Sequence, residues 1–120
     1  MFKISNNDFK ILQKYKEFTT YLENILQNVP RKDMYYKDKI WSIMYDFLDY
    51  IFRSSYDDNI ERLHYYEINI KSNIAFLDFM LDRLYMSKYI NENNLNKVGY
   101  NLVEINKMVT KWIKSKTNVC

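Results

Sequence analysis

Residues 60–87 read IERLHYYEINIKSNIAFLDFMLDRLYMS, and the spacing of their large apolar side chains decides the fold class. Leu63, Tyr66, Ile70, Ile74, Leu77, Leu81 and Leu84 recur every three or four residues. That is the period of one face of an α-helix, whereas a half-buried strand alternates every second residue. At 1.5 Å per residue, the segment predicts a helix about 40 Å long.

Working outward, the same period appears three more times. Towards the carboxyl end, Lys88 to Asn91 break the pattern, and Asn91 is the expected cap of a helix carrying Leu95, Val98, Leu102, Ile105, Val109 and Trp112. Ile90 precedes that cap and is placed to staple onto Leu95. Gly99 weakens this helix by about 1 kcal/mol relative to alanine and is small enough for a close helix crossing. Towards the amino end, Ser54 to Asn59 lose the pattern and offer competing side-chain hydrogen bonds, which marks a joint. Before it, Ile40, Met44, Phe47 and Ile51, flanked by Leu48 and Phe52, form a stripe broad enough to touch two neighbours. Arg31, Lys32 and Asp33 form the preceding joint, with Asp33 or a neighbour as cap. The first helix carries Leu12, Tyr15, Phe18, Leu22, Ile25 and Val29, with Asp8 as its expected cap and Pro30 as its stop. Four amphipathic helices with short connections predict an all-α, antiparallel up-down-up-down four-helix bundle, a single domain over residues 1–120.

The rest of the composition excludes more than it assigns. The 120 residues include one glycine, one proline (Pro30), one cysteine (Cys120) and one histidine (His64). Sandwich and nucleotide-binding α/β folds use glycine and proline in their tight turns and phosphate loops. No Cys/His zinc site, thiol–histidine nucleophile or Gly-rich phosphate loop can be assembled from these residues, so no catalysis and no cofactor are expected. Asp46 with Asp49, and Asp78 with Asp82, put carboxylates on helical faces, but the Glu-x-x-His pairs of dimetal bundles are missing. A lone cysteine points to a reducing cytosol. Unbroken apolar runs last only about four residues against about twenty needed to span a bilayer, so no membrane association is expected.

The formal charge of +3 conceals a segregation: residues 1–40 carry a net +3, residues 41–83 a net −4 and residues 84–120 a net +4. Lys107, Lys111 and Lys114 project from one face of the last helix, with Lys116 beyond. In an antiparallel bundle, the start of the first helix brings Lys10 and Lys14 to the same end. Together these cations come within reach of one phosphate backbone. Arg31, Lys32, Lys37 and Lys39 form a second cluster at the opposite end. The same lysines also complement a helix macrodipole and solvate an exposed face, so the pattern alone leaves both readings open. Tyr35, Tyr36, Trp41, Tyr65 and Tyr66 either stack bases or straddle the boundary of the core.

Glu104-Ile105-Asn106-Lys107-Met108-Val109-Thr110-Lys111-Trp112-Ile113-Lys114-Ser115 resembles the closing motif, an E-I-G-R-M-L-G-G-W-like run ending in basic residues, of one family. Its members are the accessory variability determinant (Avd) proteins of diversity-generating retroelements and the related proteins encoded by intervening sequences in large-subunit ribosomal RNA genes. Leu12-Gln13-Lys14-Tyr15, Val29-Pro30-Arg31-Lys32, Lys37-Asp38-Lys39-Ile40 and the stretch from Leu77 to Asn91 carry the resemblance through nearly the whole chain. Asn106, Thr110 and Lys111 stand where the family usually has glycines, and Asp82 where a basic residue is common. The resemblance implies a barrel-shaped homopentamer whose basic surfaces engage RNA or an RNA–DNA hybrid and which docks a reverse transcriptase. The phosphate-contacting residues would then be Lys107, Lys111, Lys114, Lys116, Lys10, Lys14, Arg31, Lys32 and Lys39. The alternative is a protein-interaction or regulatory bundle whose lysines only maintain solubility.

Overall fold

In the computed structural model, which describes residues 6–118, four long helices account for almost the whole chain: α1 (Asn6–Leu26), α2 (Met34–Tyr56), α3 (Ile60–Met86) and α4 (Glu92–Thr117). A short 3₁₀ turn, Arg31–Asp33, precedes α2. Backbone packing is closest between α2 and α3, α3 and α4, and α4 and α1. The expected apolar rows form one core. Tyr15, Phe18, Leu22 and Ile25 of α1 meet Ile40, Met44, Phe47 and Ile51 of α2, Leu63, Ile70, Leu77, Leu81 and Leu84 of α3, and Val98, Leu102, Ile105, Val109 and Trp112 of α4. Leu12, Ile74 and Leu95 lie at its edge, partly buried, while Ile11 and Leu26, each one residue away from an expected position, are buried.

The joints depart from the sequence pattern, the first being longer and the second shorter than expected. Helix α1 ends four residues before Pro30. Gln27, Asn28 and Val29 donate their amides to the carbonyls of Asn24, Ile25 and Leu26 in three-residue steps that wind the last turn down, because a residue preceding proline is driven out of helical geometry. Asp8, the expected cap, falls inside α1, and its side chain lies outside the described residues. Asp33 occupies the N-cap of α2 but makes no capping hydrogen bond. Its carboxylate instead accepts the Tyr89 hydroxyl from the α3–α4 connection. At the far end α2 continues through Ser54 and Ser55 to Tyr56, since Ser55 Oγ donates to the Ile51 carbonyl one turn back and no longer competes with the helix. Only residues 57–59 remain as the connection, and Asn59 caps α3 by accepting the Arg62 amide at 3.0 Å.

Asp57 secures that corner. It accepts Arg62 Nε at 2.6 Å, Arg62 Nη2 at 2.9 Å, the Asn59 amide at 3.0 Å and the Tyr66 hydroxyl at 2.8 Å. These donors, the Arg62 guanidinium first, hold its carboxyl well below the usual carboxylate range. A depressed folded-state pKa adds stability above the unfolded value near 3.9 and loses it as pH falls through the folded value. Asp57→Asn is therefore expected to lower the melting temperature at pH 7. That deficit should shrink steadily in melts recorded below about pH 4.

Helix α3 ends in a paired closure. The Lys88 amide donates to the Tyr85 carbonyl at 2.9 Å and the Tyr89 amide to the Leu84 carbonyl at 3.0 Å, the pattern that normally places glycine at the left-handed position. Here Lys88 occupies it, at φ 66°. A left-handed residue with a Cβ costs about 1–2 kcal/mol. Lys88→Gly should accordingly stabilise the protein by about 1 kcal/mol, a rise of a few degrees in the thermal midpoint measured by circular dichroism. The next helix starts as expected: Asn91 and Asn94 form a reciprocal capping box, with Ile90 buried and Leu95 at the edge of the same core.

Gly99 does not mark a close crossing. A Cβ built on it would meet nothing within 4 Å, because the residue faces an open groove between α3 and α4. Among the described residues, no helix is long and apolar enough to cross a membrane.

Candidate nucleic-acid interface

Helices α1 and α4 pack against each other, and the rows Ile11, Tyr15 and Phe18 of α1 and Ile105, Val109 and Trp112 of α4 are buried in the one core. Burial of those rows fixes the orientation of the charged residues between them, since positions three or four apart share a face and intervening ones point elsewhere. Lys107, Lys111 and Lys114 are exposed on α4, and Lys10 is exposed on α1. Lys10 and Lys111 line the same small groove of about 240 Å³, together with Ile11, Met108, Trp112 and Ser115. The groove has an apolar floor and cationic edges. Lys14, half-buried, places its ammonium 6.0 Å from the Tyr100 ring of α4, so it too lies along the seam.

The seam also holds a cation that the sequence pattern did not single out. Lys97 lies 4.3 Å from the centre of the Tyr21 ring, and the Tyr21 hydroxyl accepts Asn94 Nδ2 at 3.0 Å. Lys97 stands alone in sequence, and only the packing of α1 on α4 brings it into line with Lys14. From Lys97 to Lys111 the row extends about 20 Å along α4. Among the described residues, Lys10, Lys14, Lys97, Lys107, Lys111 and Lys114 form no ion pair; the ion pairs lie on α2 and α3 or at the connection between them.

The other expected phosphate-binding residues sit apart. Lys116 turns inward: its ammonium donates to the Ser54 carbonyl and, at 3.4 Å, to that of Ser55, and it lies 5.4 Å from the Trp112 ring. It neutralises the negative end of α2, a role that leaves it little freedom to meet a phosphate. Arg31, Lys32 and Lys39 are exposed. The Asp33–Tyr89 hydrogen bond sets the 3₁₀ turn beside the start of α4, about 30 Å along that helix from Lys111.

The remaining candidates have ordinary surroundings. His64 is exposed, 3.7 Å from Glu67. Tyr66 is buried, its ring tilted against Tyr50 and edge-on to Tyr65, whereas Tyr35 and Tyr65 are exposed. Among the described residues, no group of three or more His, Cys, Asp or Glu side chains could hold a metal ion. The chain matches neither a protein-family model nor a curated protein.

Proposed function

We propose that the chain is a non-catalytic accessory factor that binds RNA, or an RNA–DNA hybrid, along the α1–α4 seam. The observation that carries this reading is the row of cations that form no ion pair among the described residues, Lys10, Lys107, Lys111 and Lys114, two of which edge a common groove. Aligned ammonium groups recognise a backbone of phosphates without reading bases. Trp112 and Met108 in the groove add an apolar surface beside them. The docking of a reverse transcriptase in a diversity-generating retroelement, and a ring of five copies, rest on the family resemblance. An antiparallel up-down-up-down course is supported by the pairing of Tyr89 with Asp33, of Lys116 with Ser54 and of Asn94 with Tyr21.

A titration of a structured RNA against the full chain, repeated from 50 to 200 mM salt, tests the reading. Binding is expected to be tolerant of sequence and to weaken along a straight log–log line, because each neutralised phosphate releases condensed counterions. Absence of binding at the lowest salt would refute it. The second reading, a bundle that binds only proteins, draws on the exposed Tyr35, Tyr45, Ile68, Phe76 and Phe79, and would be left standing by that result.

A further inference from the structure

The flank of α4 that carries the seam is not cationic throughout. Lys97, Tyr100, Glu104, Lys107 and Lys111 are spaced three, four, three and four apart, so they lie along one side of the helix. In the middle, between Lys97 and Lys107, stand a ring and a carboxylate. Tyr100 is 64% exposed, and the half-buried Glu104 forms no ion pair among the described residues. A phosphate laid at this point would meet a like charge.

The Tyr100 ring has different neighbours on its two sides. Lys14 reaches it from α1, with its ammonium 6.0 Å from the ring centre. Towards α3, the ring borders a groove of about 460 Å³ whose other walls include Ala75, Asp78, Asp82, Asn96 and Gly99. A Cβ added to Gly99 would meet nothing within 4 Å, so the space beside the ring is open. Asp78 and Asp82 repel a phosphate from that space and are acceptors for N–H donors. A flat, uncharged group with N–H donors on its edge is what the groove suits.

We propose, building on the reading that the seam binds RNA, that Tyr100 is a stacking platform for one unpaired base. The strand's phosphates lie on Lys14 and Lys97 to one side and on Lys10, Lys107 and Lys111 to the other. Between these two groups, where Glu104 interrupts the cations, the strand turns a base off the row and onto the ring, its N–H edge towards Asp78 and Asp82. Bases of a single strand can be splayed out and stacked on aromatic side chains, whereas those of a duplex are held in their own stack. Every base has a π-face, so the platform selects unpaired RNA and stays tolerant of sequence.

Fluorescence anisotropy of the full chain, titrated against a short unstructured RNA strand and against a blunt RNA duplex of the same length, tests the platform. Tyr100→Ala is expected to weaken binding of the strand about tenfold or more and to leave binding of the duplex as it was. The strand's salt slope should stay the same, because no phosphate contact is lost. Tyr100→Phe keeps the ring and should bind the strand as the wild type does. Gly99→Leu fills the groove from a position with open space around it; it should raise the melting temperature, since leucine is the better helix former, and still weaken binding of the strand alone. Equal losses for strand and duplex in Tyr100→Ala, or no loss for either, overturn the platform and leave the phosphate row standing. Wild-type binding to the duplex alone does the same. Absence of wild-type binding to both RNAs refutes the row and the platform together.

Discussion

Replacing Lys107, Lys111 and Lys114 together by glutamine is expected to reduce RNA affinity steeply at low salt and to flatten its salt dependence, with helicity and assembly unchanged. Every phosphate left without its lysine lowers the magnitude of the log–log slope by about 0.7 for single-stranded and about 0.9 for double-stranded nucleic acid, so the triple change removes about 2 to 3 units per engaged copy. At that slope, affinity for the triple variant changes about twentyfold to fortyfold less than wild type does over a fourfold change in salt. The exposed positions of these lysines keep folding out of the comparison, as surface substitutions away from caps and networks cost within about 0.5 kcal/mol. Lys16 and Lys88, exposed and away from the groove, give the reference when changed to glutamine: a similar loss of affinity per charge removed would mean that only net charge is read. Lys116→Gln should divide the two effects the other way. It removes the donor from the end of α2 and should lower stability with little change in the slope.

What could be seen in the sequence was whatever the chain decides locally. The inner row of α3, the asparagine cap at Asn91 and the buried Ile90 depend on residues within one or two turns of each other, and all are present in the fold. The misses have a common cause, which is a partner distant in sequence. Asp33 stands at the cap position, but Tyr89, 56 residues later, takes its carboxylate. Lys116 reads as the end of a basic stripe until Ser54, 62 residues earlier, offers it a helix terminus. Lys97 is inconspicuous until Tyr21 places it on the α1–α4 seam. Gly99 carries two local readings, a weakness and a crossing point; the open space around it removes the second. The exposed apolar side chains of α3, Tyr65, Ile68, Phe76, Phe79 and Met86, lie in the same stretch, residues 60–87, as the inner row. They do not stand out there because a helix with apolar residues on two sides has a weak contrast between them, and the row with more leucines dominates the period.

The Phe47→Ala variant should lose about 3–5 kcal/mol of stability, a large part of the total for a domain of this size. Phe47 is fully buried at the place where α1 reaches α2, two helices whose backbones otherwise approach less closely than the other neighbouring pairs. Its ring lies 5.0 Å from that of Tyr15, tilted by 47°, and Tyr15 donates its hydroxyl to the Met44 carbonyl on the preceding turn. Burial pushes the Tyr15 hydroxyl well above its ordinary pKa, so it remains a donor throughout the neutral range. Truncation at Phe47 removes the ring that Tyr15 packs against and leaves a cavity that a buried phenol cannot fill without abandoning its carbonyl. Unfolding followed by circular dichroism should show a midpoint lower by about 10–20 °C. Tyr45→Ala, two residues away on the exposed side of α2, should change it by far less. Equal losses at the two positions would mean that α2 is not oriented by its Ile40, Met44, Phe47 and Ile51 row, and the placement of every charge around the bundle would have to be reassigned with it.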